Sequence, residues 1–208
     1  MAEFNKPALF DGNEFEAFRD GKDPASIVRS AHQSARLLLS RARAAGDPEV
    51  VDRLVTYTDE HGLDALAELW ARSAPHSLPG ALWRIYLVRV MIRQDPDGVA
   101  LLFQRGTEVL GTIDPVVAGA PLPAGPQEVL ELSDRILRGA FEGDFASALE
   151  RAAAFCRVTA AGAVSIANDQ DAASPVRASG LTTRAQRLAI TADELAACAR
   201  MSRDGALD

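Results

Sequence analysis

Three arginines stand in the most apolar stretch of the chain, Leu78-Pro79-Gly80-Ala81-Leu82-Trp83-Arg84-Ile85-Tyr86-Leu87-Val88-Arg89-Val90-Met91-Ile92-Arg93. With about a hundred degrees per helical residue, Arg89 and Arg93 share one edge with Leu82, and Arg84 projects from the opposite side. A helix that is greasy on every face belongs in a core or a membrane. A buried guanidinium requires an anion, supplied by the protein or by a ligand. Two chemistries follow. Arg89 and Arg93 are either bridged to carboxylates of the chain, or they anchor a pocket for a carboxylate or phosphate ligand, with Trp83 or Tyr86 as its wall. His76 lies just before this helix, where anions are attracted, and with Arg84 it makes a second candidate anion seat. The other role open to His76 is to satisfy the backbone of the turn.

The remaining reactive residues are sparse. His32 borders an apolar stripe, and His61 stands at a helix C-terminus, where the dipole favours a cation. Glu131, Glu150 and Glu194 lack a histidine three residues on, and Glu60 and His61 are adjacent, so no helical metal site is expected. Cys156 and Cys198 fall in alanine-rich helical patterns with no histidine beside them, which predicts poorly ionised thiols and no disulfide framework. Only Lys6 and Lys22 are lysines, and both precede the first helix. Together with the lack of a phosphate-binding glycine motif, this excludes a P-loop ATPase and a Schiff-base lysine from the ordered body. No cofactor is expected.

These side chains must be carried by helices. The 208 residues are 48% hydrophobic, enough to fill a core, and alanine dominates. The expected fold is all-α, a compact bundle of seven or eight helices with alanine-rich packing around the apolar helix at 79–94. Asp-Pro pairs at 23–24, 47–48, 95–96 and 114–115 supply an N-cap followed by a first-turn proline. Helices are predicted over 25–45, from 48 to about 62, a short one over 63–70, then 79–94, from 96 to about 110, 126–138, 144–161 and 182–203. The seam Ala185, Leu188, Ala192, Leu195, Ala199 would pack on the bundle or on a second copy. Residues 168–175 read as a polar loop. The proline- and glycine-dense span 111–126 reads as irregular, a possible subdomain boundary within a helical domain 23–208, and either a stiff linker or a functional loop.

Residues 1–22 form a separate arm. Phe4, Phe10, Phe15 and Phe18 are half of the eight phenylalanines, with Asp11, Glu14, Glu16 and Asp20 between them. Such an arm can fold back across the body, cover a partner subunit, or bind another protein.

The net charge of −7 argues against nucleic acid, and Arg36, Arg41, Arg43 and Arg177, Arg184, Arg187 are not interleaved with aromatics. The longest apolar stretch is too short and too charged to span a bilayer, and the N-terminus is no secretory signal. The expected setting is the cytoplasm, without membrane or nucleic-acid partners.

The runs His76-Ser77-Leu78-Pro79-Gly80-Ala81-Leu82-Trp83-Arg84 and Gly143-Asp144-Phe145-Ala146-Ser147-Ala148-Leu149-Glu150-Arg151-Ala152-Ala153-Ala154-Phe155-Cys156-Arg157 resemble a family of uncharacterised proteins of high-GC actinobacteria. The resemblance covers the chain from the first helix onward. It implies a cytoplasmic bacterial helical protein and carries no activity. The expected function is a non-enzymatic interaction or scaffold protein that meets a protein partner or a second copy. The alternative is a helical protein binding a small anionic ligand through an arginine-anchored pocket.

Overall fold

Residues 24–45 and 70–208 are described by the structure, a computed structural model. Among them are seven helices and no strand: α1 (Pro24–Ala45), α2 (Leu78–Gln94), α3 (Pro96–Val109), α4 (Asp114–Ala118), α5 (Pro126–Glu142), α6 (Phe145–Gln170) and α7 (Pro175–Arg203). The arm 1–22 and the helices predicted at 48–62 and 63–69 lie outside the described residues. No described helix is long and apolar enough to cross a membrane.

Helix starts follow the sequence rules. Ser77 caps α2 by accepting from the Gly80 N–H (3.2 Å), with Pro79 in the first turn. Asp95 caps α3 through the Gly98 N–H (3.0 Å), and Asp144 caps α6 through Ala146 and Ser147.

Helix α6 is the centre of the bundle. It touches α3, α4, α5 and α7, and its contact with α7 is the most extensive in the chain. Both helices bury an alanine at every seventh position: Ala146, Ala153, Ala160 and Ala167 on α6, and Ala178, Ala185, Ala192 and Ala199 on α7. Side chains this small let two helix axes approach closely along a heptad seam. The seam predicted at 185–199 is therefore consumed inside the chain and offers nothing to a second copy.

The sequence pattern predicts an end to α6 at about 161 and a start to α7 at about 182. In fact α6 runs on to Gln170 and α7 begins at Pro175, so the polar segment shrinks to the turn 171–174. Gly162, a weak helix former, stays helical for a packing reason. A Cβ there would stand 1.8 Å from the Leu102 carbonyl oxygen, and one on Gly106 would stand 1.8 Å from that of Val158. The backbones of α3 and α6 are thus in direct contact, beside stacked rings of Phe103 and Phe155 with centroids 5.3 Å apart. Helix α5 likewise outruns its expected end at 138, because Ala140 and Phe141 are buried.

Span 111–126 is not wholly irregular. Asp114-Pro115 starts the single turn of α4, and Gly119, at φ 78°, stops it in a conformation that a side chain would strain. Arg157 of α6 holds this segment down through Asp114, at 2.8 Å from Nε and 2.6 Å from Nη2. The buried side chains on both sides of 111–126 belong to one continuous core, from Ala31 to Ala199.

Candidate functional site

Arg89 is 2% exposed, and its Nε donates to Asp134 Oδ1 on α5 at 2.9 Å. Arg93 Nη1 stands 4.0 Å from the same oxygen. On the opposite side of α2, Arg84 Nε donates to Glu194 of α7 at 2.5 Å, and its Nη1 reaches the Gly80 carbonyl at 3.0 Å. The anions that these guanidiniums require are supplied by the chain. Trp83 and Tyr86 are half-buried and pair with each other, with centroids 5.5 Å apart.

His76 is exposed in the turn before α2. The helix start behind it has no N–H to spare. Leu78 donates to an oxygen of Asp208 (2.7 Å), Pro79 has none, Gly80 donates to Ser77 Oγ, and Ala81 to the Ser77 carbonyl (2.8 Å). The structure thus places the six predicted residues at two filled ion-pair sites, one aromatic pair and one solvated turn.

The half-buried arginines among the described residues are not all paired. Half-buried Arg84, Arg105, Arg157 and Arg184 all have carboxylate partners. Arg151 on α6 is also half-buried, yet it has no hydrogen-bond or ion-pair partner among the described residues. It lines a groove of about 510 Å³ between α5 and α6, together with Arg135, Arg138, Gly139, Gly143, Asp144 and Ser147. The tight corner Gly143-Asp144 brings the end of α5 against the start of α6, and Arg135 and Arg138 stand one turn apart on α5.

The groove is lined by Arg135, Arg138 and Arg151 together with Asp144, whose carboxylate caps the start of α6. Asp144 accepts from the Ala146 N–H (3.1 Å), the Ser147 N–H (3.3 Å) and the Ser147 hydroxyl (2.5 Å). The Ser147 hydroxyl, aided by the two backbone N–H groups, holds its carboxyl below the usual carboxylate range, against the opposing pull of partial burial. Arg135 Nη1 donates to the Gly119 carbonyl at 3.1 Å, which locks the α4 turn beside the groove. The Arg151 guanidinium lies 3.8 Å from the position a Gly119 Cβ would take. Three residues to either side of Gly119, Val116 is 81% and Leu122 58% exposed, so apolar surface adjoins the cationic groove.

Burial pushes the Cys156 thiol up to about 12, and it also raises that of Cys198. Among the described residues no cluster of histidine, cysteine and carboxylates has metal-site geometry.

Sequence reasoning missed Arg135, Arg138 and Arg151. The α5 pair was visible at helical spacing. Arg151 joins it only through the fold, and no local pattern shows that its neighbours Glu150 and Arg157 find partners while it does not. Compared with protein-family models, curated proteins and solved structures, the chain matches none, so the actinobacterial resemblance stays an expectation.

Proposed function

We propose that this protein works by binding, as a helical interaction protein that takes an anionic group of its partner into the α5–α6 groove. The observation that carries this reading is Arg151, half-buried and without an ion-pair partner among the described residues, where the other half-buried arginines are paired. Desolvating a cation without a counter-charge is costly, and an incoming carboxylate or phosphate removes that cost. The exposed apolar side chains around Gly119 favour a protein segment over a bare ion. The net charge of −7 disfavours long-range attraction of nucleic acid. Free, buried cysteines accord with work in a reducing cytoplasm.

Calorimetric titration of the full chain with inorganic pyrophosphate at low ionic strength tests the site. Binding is expected to be about tenfold weaker in Arg151→Gln, the worth of one charge-assisted hydrogen bond. Equal affinity in the two proteins would show that Arg151 is not the anchor.

A further inference from the structure

The surroundings of Arg151 narrow what can meet it. Its guanidinium lies against Gly119, where no side chain stands between it and the α4 turn. Arg135 already spends Nη1 on the Gly119 carbonyl at 3.1 Å, so the charge on offer is centred on Arg151. One guanidinium matches one planar carboxylate, which it can hold through two parallel N–H bonds. Asp144 lines the same groove, and its negative charge repels a dianion about twice as strongly as a monoanion. A carboxylate therefore fits better than a phosphate ester. The net charge of −7 also opposes the approach of a run of acidic residues. What fits is a single carboxylate in a segment that is otherwise uncharged.

The neighbouring surface supplies the second half of the match. Val116 and Leu122 stand three residues to either side of Gly119, 81% and 58% exposed, and Ile113 is 75% exposed. Two to three residues of an extended peptide cover about 7–10 Å, the reach from a carboxylate on Arg151 to an apolar side chain laid on Val116 or Leu122.

We propose that the α5–α6 groove recognises a short peptide segment of a partner protein in which one aspartate or glutamate stands two or three residues from a bulky apolar side chain. The carboxylate pairs with Arg151, and the apolar side chain covers Val116 or Leu122. This inference rests on the groove being an anion site, as proposed above. It adds the chemistry of the occupant: a carboxylate rather than a phosphate, with apolar rather than acidic flanks.

Panning a random heptapeptide library on the immobilised full chain reads that chemistry directly. Enriched peptides are expected to carry one acidic residue with Leu, Ile, Val, Phe or Met two or three places away. A synthetic peptide of the enriched sequence, followed by fluorescence polarisation, is expected to bind about tenfold more weakly when its acid is replaced by the amide. Arg151→Gln is expected to cost the same factor, and the amide peptide should lose nothing further against that variant. Val116→Ser with Leu122→Ser, both at exposed positions, should weaken binding about fivefold, the worth of roughly 40 Å² of apolar surface.

No enrichment, enriched peptides without an acid, or an acid effect that persists in Arg151→Gln overturns the inference. Phosphoserine in place of the acid that binds tenfold more tightly overturns the choice of a carboxylate. If pyrophosphate binding nevertheless depends on Arg151, the groove reading stands alone. If it does not, both readings fall.

Discussion

Two arginine sites that adjoin α5 answer the same electrostatic problem differently. Arg89 is almost fully buried and meets Asp134, whereas Arg151 is half-buried and meets nothing among the described residues. The first site is closed: helix α2 is pinned to α5 by Arg89 and to α7 by Arg84, and the charges cancel inside the chain. The second is open at Arg151, which lines a groove and has no ion-pair partner among the described residues. Buried charge by itself therefore does not mark a function. The proposed binding role rests instead on a charge, Arg151, that has no partner among the described residues.

The contrast is sharpest in the effect of removing one partner. Asp134→Ala removes a carboxylate partner of the buried Arg89, and a loss of up to about 3–5 kcal/mol in unfolding free energy is expected by chemical denaturation. A loss below about 1 kcal/mol would mean that Arg89 is not dependent on this pair. Arg89→Met combined with Asp134→Leu should recover most of that loss, because two apolar side chains of similar volume need no counter-charge. Failure of the double variant to improve on Asp134→Ala would show that the pair does more than neutralise charge.

Helix contact rather than charge sets the next effect. Gly162→Ala drives a methyl into the Leu102 carbonyl, at a cost of about 1–3 kcal/mol, whereas Gly139→Ala, whose Cβ would meet Ala148 at an ordinary 3.6 Å, should cost less. Equal melting temperatures for the two variants would contradict direct backbone contact between α3 and α6.

At the groove, Arg151→Gln should change stability by no more than about 0.5 kcal/mol, since no interaction within the described chain is lost. A large destabilisation would move Arg151 from the open class to the closed one. The smallest effect concerns acid. Burial raises the pKa of Asp114, but its hydrogen bonds to Arg157 and Thr112 outweigh this, and the folded pKa lies below the usual carboxylate value. That stabilisation is present above the unfolded pKa of about 4 and is lost as pH falls through the folded value. Asp114→Asn should flatten the fall in stability below roughly pH 4; an unchanged slope would remove Asp114 from the acid response.

The fold was largely legible because its signals are local. Asp-Pro pairs, Ser77 and Asp144 mark helix starts, and the alanine heptad of α7 shows in the chain itself. The length of α6 was not legible. Gly162 reads as a weak helix position, and only the Leu102 carbonyl across the core explains why a glycine sits there. The site was legible as a principle but not as an address. That a buried arginine needs an anion follows from the residues. That Asp134 supplies it to Arg89, 45 residues away, while Arg151 lacks a partner, depends on how α2, α5 and α6 pack.

The difference between the two sites can be read residue by residue from amide chemical-shift changes as pyrophosphate is added to the full chain. The account expects changes at Gly119, Arg135, Gly139, Gly143, Ser147 and Arg151, and none at Arg84, Arg89 or Asp134. Changes centred on Arg89 and Asp134, with the α5–α6 groove silent, would contradict it.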